Sequence, residues 1–90
     1  MYTIQTTNKF EKDFAKCTRR NYDLDAFDKA LRLLASSGKL PREYKPHKLK
    51  GKYAGFWECH IQPDWLMVWD QDDDKLTLLL MRTGTHSDLL

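Results

Sequence analysis

The spacing of apolar residues changes along this 90-residue chain, and that change limits the folds open to it. Between Asn8 and Ser37 they recur every three or four positions, the repeat of a helix with one buried face. From Gly55 onward they fall in short alternating or continuous runs broken by turn residues, the pattern of strands. Phe10, Phe14 and Cys17 mark a helix expected over about residues 8–20. Asn8 starts it, with Glu11 three residues on, the spacing of a capping box. Leu24, Phe27, Leu31 and Leu34 mark a second over about 23–37. Gly38 suits the left-handed residue that closes it, and Pro41 blocks continuation. So short a connection implies an antiparallel helical hairpin.

Tyr2 to Thr6 alternates as a short strand would. Leu40 to Tyr53 has no clean period and reads as a loop, with a short extended stretch at His47-Lys48-Leu49. Gly55–Ile61 is the next strand, placing Trp57, Cys59 and Ile61 on one face and Phe56, Glu58 and His60 on the other. Pro63-Asp64 makes a turn into a strand at Trp65–Trp69. Gln71 to Asp74 makes a hairpin turn into Lys75–Arg82, with Leu76, Leu78 and Leu80 on one face, and Thr83-Gly84-Thr85 breaks that strand. The order is β-α-α-β-β-β. The fold class is α+β, with the hairpin packed on one face of a largely antiparallel four-stranded sheet. The other face is left free for a ligand. Residues 1–90 are expected to form one domain with a core near the lower size limit.

Composition removes several functions. With 41% hydrophobic and 31% charged residues, the chain is neither disordered nor a membrane protein. No apolar run nears the roughly 20 residues of a membrane-spanning helix. The N-terminal segment lacks a secretory pattern, so a cytoplasmic location is expected. Cys17 and Cys59 fit no disulfide framework and are expected to be buried free thiols. The net charge of +2 is unevenly spread. Residues 39–52 hold six bases against Glu43, whereas residues 58–74 hold six acids and no base. A phosphodiester-cleaving site can use both segments, the bases to attract the backbone and the acid–base groups to act on it.

The chemistry-bearing candidates lie in the second half. Antiparallel neighbours bring the end of the Gly55–Ile61 strand, the Asp64 turn and the exit of the last strand to one edge. His60, Asp64, Arg82 and His86 can therefore converge there, with His47 in the basic loop. Histidine titrates near neutrality, so two can act as base and acid in one displacement. One takes the 2′-OH proton of RNA, the other protonates the leaving 5′ oxygen, and a cation such as Arg82 stabilises the phosphoryl oxygens. Taken singly, each of these histidines is an unremarkable surface or loop residue. Zinc is an alternative, since Cys59, His47, His60, Asp64 and His86 are all ligand types. Adjacent Cys59 and His60 point to opposite faces, however, and the spacing matches no zinc pattern, so no metal and no cofactor are expected. Trp57, Trp65 and Trp69 read as packing residues and Asp70 to Asp74 as a solvated turn.

Tyr44-Lys45, His47, Leu49, Gly51, Gly55, His60, Pro63-Asp64-Trp65 and Arg82-Thr83-Gly84-Thr85-His86 together resemble the YafQ branch of the RelE-like toxins. The resemblance spans nearly the whole chain and is densest from Tyr44 onward. It implies a RelE-like microbial ribonuclease fold and metal-independent cleavage of mRNA in the ribosomal A site, leaving a 2′,3′-cyclic phosphate. It also implies a cognate antitoxin that holds the toxin inactive. By matching positions, His47, His60, Asp64 and His86 form the acid–base cluster and Arg82 contacts phosphate. His86 is the expected acid, the base is His47 or His60, and Asp64 tunes a histidine. Lys48, Lys50 and Lys52 are expected to face RNA and antitoxin. The family pattern places an RNA-positioning aromatic near the C-terminus where this chain has Leu90, so Phe56 or Trp65 is a candidate substitute. A catalytically weakened RNA- or ribosome-binding module is the alternative reading.

Overall fold

The structure is a computed structural model that describes residues 1–89. Strand β1 (Thr3–Thr6) leads into helices α1 (Asn8–Arg19) and α2 (Leu24–Ser37). Two 3-10 turns, Arg42–Tyr44 and Gly51–Tyr53, flank the two-residue strand β2 (His47–Lys48). Then come β3 (Trp57–Gln62), β4 (Trp65–Asp72), β5 (Thr77–Gly84) and one helical turn, α3 (His86–Leu89).

Local chemistry sets the helix ends. Thr7, not Asn8, caps α1: its hydroxyl accepts from the Phe10 N–H at 3.0 Å. The expected capping box is therefore absent, because Glu11 lies one residue past the position that would reach back. Asp23 caps α2 by accepting from the Ala26 N–H at 3.2 Å. Gly38 closes it with φ of 75° and an N–H donated to the Leu34 carbonyl at 2.7 Å. A side chain at 38 would also strike the Tyr2 ring, whose nearest atoms lie within 2.8 Å of where a Cβ would stand.

The α+β class and the helical hairpin match the expectation, and the sheet differs in two ways. It has five strands in the order β1-β5-β4-β3-β2, because His47 and Lys48 pair with Glu58 and Trp57 at its edge. It is also mixed, because β1 runs parallel to β5 while the other pairs are antiparallel. Several boundaries move as well, β3 to Trp57–Gln62 and the start of β5 to Thr77 among them. Strand β4 continues to Asp72, Thr83 and Gly84 remain in β5, and the segment after Thr85 is helical. Hydrogen bonding across β4 and β5, through to the Leu66–Gly84 pair, outweighs the local turn propensity of Thr-Gly-Thr.

The hairpin buries Phe10, Cys17, Phe27, Ala30 and Leu34 against Cys59, Ile61, Trp65, Met67, Trp69, Leu78 and Leu80. Full burial of each large apolar side chain contributes about 1.5–3 kcal/mol, so this one interface carries the fold. Phe14 and Leu31 are half-buried at its margin. Two expected core residues face water. Leu24 is 40% exposed at the first turn of α2, and Leu76 is 43% exposed in the β4–β5 turn with a φ of 52°. Both cysteines are buried free thiols. On the opposite face, Leu66, Val68 and Leu89 form a smaller cluster with Leu49, Phe56 and Met81. A bulge leaves Met81 without a partner between the Val68–Arg82 and Trp69–Leu80 pairs, so Met81 and Arg82 both emerge on this second face.

Candidate active site

The Pro63-Asp64-Trp65 turn and the Arg82–His86 segment interlock. The Trp65 indole N–H donates to the Thr83 hydroxyl at 2.8 Å, and that hydroxyl donates to the Leu66 carbonyl at 2.7 Å, both bonds fully buried. These bonds fix the Asp64 turn against the end of β5. Asp64 then accepts from two N–H groups of His86, the backbone at 3.2 Å and ring Nδ1 at 2.8 Å. The two bonds hold the Asp64 carboxyl below its ordinary range. With Nδ1 engaged, Nε2 of His86 points away from the carboxylate, free for a ligand. The His60 ring lies 5.8 Å from the His86 ring between centroids, and its Nδ1 donates to the Pro63 carbonyl at 3.3 Å. That bond selects a tautomer whose Nε2 carries a lone pair.

The helical turn that carries His86 is also built from the motif. Thr85 and Asp88 cap each other: the Thr85 N–H donates to the Asp88 carboxylate at 2.9 Å and the Asp88 N–H to the Thr85 hydroxyl at 3.1 Å. Gly84 makes room for this. Its φ is 150°, and a Cβ there would stand 2.8 Å from Asp88 Oδ2. Arg20 grips Asp88 at 2.7 Å and, together with the Thr85 bonds, holds that carboxyl well below the usual range.

Arg82 is less free than its sequence position implies. Asp13 of α1 takes its Nε–H at 2.6 Å and a second N–H at 3.4 Å. Both side chains are largely buried, at 13% and 15% exposure. Strand β1 ends at Thr6, so beyond Leu80 the edge of β5 has no strand partner; the same carboxylate accepts the Thr83 N–H at 3.2 Å. Arg82 also donates to the Tyr53 hydroxyl and the Asp88 carbonyl, both at 3.4 Å. Among the described residues, one of its five N–H groups is uncommitted. Nothing in the sequence signalled Asp13 or Tyr53, because each pairs with Arg82 across a long stretch of chain.

The remaining candidates separate. His47 lies on the His60 side of the sheet, opposite Glu58, but both of its ring nitrogens are engaged. Nδ1 is 2.9 Å from the Lys45 carbonyl and Nε2 is 3.3 Å from the Glu58 carboxylate. Lys48 pairs with Trp57, on the helix-covered side, and its ammonium lies 5.6 Å from that ring. It is not brought to the histidines. Lys50 and Lys52 are exposed beside the 51–53 turn, with the Lys52 ammonium 5.6 Å from the Tyr53 ring. Trp65 is 2% exposed and has no free face for a base, whereas Phe56 is half-buried in the second cluster. Leu90 lies outside the described residues. Burial pushes the Cys59 thiol up to about 12, which keeps it protonated and unreactive.

The small α+β fold, with His60, Asp64 and His86 gathered at one end of its sheet, is shared with bacterial toxins of known structure, and the comparisons identify the family. The sequence model described as the bacterial toxin of type II toxin–antitoxin system, YafQ, matches residues 2–90. The chain belongs to the YafQ family. The mRNA interferase toxin YafQ of Escherichia coli K12 is 31% identical over 87 residues, 96% of this chain and 92% of that protein. A metal-bound toxin from Helicobacter pylori is 40% identical, with a TM-score of 0.90 over all of both chains. YafQ in the E. coli DinJ–YafQ complex is 30% identical, with a TM-score of 0.88 over 100% of this chain and 99% of that one.

The Helicobacter structure raises the question of a metal here. Among the described residues no group of three or more His, Cys, Asp or Glu side chains converges to hold one. Asp64 also occupies Nδ1 of His86. These residues do not form a ready metal site.

Proposed function

We propose that this YafQ-family toxin, an mRNA endoribonuclease, cuts in the ribosomal A site by metal-independent acid–base chemistry. It acts as one domain in the cytoplasm, restrained by a cognate antitoxin. The observation that carries the mechanism is the Asp64–His86 contact at 2.8 Å with the His60 ring 5.8 Å beyond it. His60 Nε2 takes the 2′-OH proton, and the freed oxygen attacks the adjacent phosphorus. The bond to the 5′ oxygen breaks as His86 Nε2 delivers a proton to it. The products are a 2′,3′-cyclic phosphate and a 5′-hydroxyl. Asp64 orients the His86 ring, and the uncommitted N–H of Arg82 faces the developing negative charge. Two features support His60 rather than His47 as the base. His60 keeps one nitrogen unengaged, and His47 has an acceptor at both.

The antitoxin reading is supported by the DinJ–YafQ complex of the relative. No helix of the described residues is long and apolar enough to cross a membrane. End-mapping of the cleaved message on programmed ribosomes tests the chemistry. Cyclic phosphate and 5′-hydroxyl ends are expected, and toxin stripped with EDTA should produce them at the untreated rate. Ends bearing a 5′-phosphate, or activity that returns only with added transition metal, would sink the mechanism.

A further inference from the structure

Strand β3 runs four residues past the two that β2 pairs, from Cys59 to Gln62. The 42–44 turn stands off this outer edge, leaving an open cleft of about 340 Å³ lined by Glu43, Tyr44, Lys45, His60, Gln62 and Pro63. Its volume is at the lower end of ligand pockets. The half-buried Tyr44 offers an aromatic wall, and Lys45 places a cation beside it. The Glu43 carboxylate and the Gln62 amide are exposed, and neither is bonded to another described side chain. His60 belongs both to this cleft and to the histidine pair, so the cleft adjoins the candidate active site.

We propose that this cleft is a subsite for one of the two bases flanking the cleaved bond, and that it selects a base with an exocyclic amino group over uracil. The inference rests on the ribonuclease reading above and adds a specificity determinant to it. A base is planar, stacks on an aromatic ring and is linked through its ribose to the phosphate at His60. Glu43 can only accept hydrogen bonds, and Gln62 can both donate and accept. Adenine, cytosine and guanine each present an amino donor beside a ring acceptor or donor, which this pair can bind. Uracil has no amino group, and its only edge donor lies between two carbonyl oxygens that a carboxylate repels.

A well-placed pair of hydrogen bonds to a base edge discriminates by about 5- to 150-fold. The test is single-turnover cleavage on programmed ribosomes, with each base flanking the cut changed in turn to uracil. The unmodified toxin should cleave about tenfold faster with an amino-bearing base at one of the two positions. Glu43→Leu and Gln62→Leu should each reduce that ratio, and the double variant should bring it within about twofold of one. Both positions are exposed, so circular dichroism should show an unchanged fold. A toxin with no preference at either position overturns the proposal, as does a double variant that keeps the preference. Failure of the unmodified toxin to cut any of these messages would instead overturn the ribonuclease reading, and the proposal with it.

Discussion

Two carboxylates meet a nitrogen base at the end of β5, and the two contacts differ most in their exposure to water. Asp13 and Arg82 meet at 2.6 Å with 15% and 13% of their side chains exposed. Asp64 and His86 meet at 2.8 Å with 68% and 52% exposed. The first pair is shielded from water and also satisfies a backbone N–H at the unpaired edge of the sheet, so removing either partner leaves a buried charge. The second is screened by solvent and holds the fold together very little. Its work is to set which nitrogen of His86 is free and where it points. Burial therefore divides a structural ion pair from an exposed carboxylate–histidine contact within five residues of chain.

The sharpest way to break this division is to remove the exposed pair and look for a structural effect. His86→Ala should lower single-turnover cleavage by about 10²–10⁴-fold, the usual contribution of a general acid, with an unchanged melting temperature. Asp64→Asn should cost less, because the amide oxygen can still accept from the His86 ring and orient it. The two losses together should be less than additive if they serve one proton. A variant that melts early would make the exposed pair structural, contrary to the division.

The buried pair should behave in the opposite way. Asp13→Ala should destabilise the fold by about 3 kcal/mol, the low end for breaking a buried pair from one side. Arg82 raises the expected cost, since Asp13 holds its guanidinium firmly in the charged state. Urea titration reads the loss directly. An Asp13→Ala protein of full stability but reduced activity would place Asp13 in the active site instead.

Much of this was legible in the sequence, and the parts that were not share a cause. The helical stripes, the strand faces of residues 57–61 and the meeting of His60, Asp64 and His86 follow from periodicity and strand polarity. Asp13, Tyr53 and Asp88 were missed because each acts on a residue it meets only in the folded chain, and none breaks a local pattern. The motif Arg-Thr-Gly-Thr-His reads as a string of chemistry, yet Thr83, Gly84 and Thr85 serve to place His86 through Trp65 and Asp88. The placement of Lys48 was equally hidden. A basic run in a loop looks uniform, but the two-residue strand β2 turns Lys48 to the helix side.

Asp88 sharpens the comparison with pH. It is half-buried and gripped by Arg20 and Thr85, so its folded pKa lies below the unfolded value. A depressed carboxyl contributes stability fully above the unfolded value and loses it as pH falls through the folded one. Stability should therefore decline below about pH 4, near the unfolded aspartate value. Asp88→Asn should flatten that decline and lower stability at neutral pH. Asp64 is also depressed, but its exposure should make Asp64→Asn change the acid limb very little. Equal flattening by both variants would erase the distinction between the pairs.

The smallest effect expected concerns cations that pair with no carboxylate among the described residues. Lys50 and Lys52 are exposed beside the Tyr53 turn, on the loop that reaches Arg82, whereas Lys48 lies over Trp57 on the other side of the sheet. A lysine that touches RNA phosphate releases a counterion, and losing it shallows the slope of log affinity against log salt by about 0.7 on single strands. Lys50→Gln and Lys52→Gln should each reduce the slope for ribosome association by that order, and Lys48→Gln should leave it unchanged. Measurement across a series of potassium concentrations separates the three, using a His86→Ala background so that the message stays intact. A Lys48→Gln slope that falls with the others would mean that RNA wraps the β2 edge onto the helix side, and the active face would then be larger than the histidine cluster and its cleft.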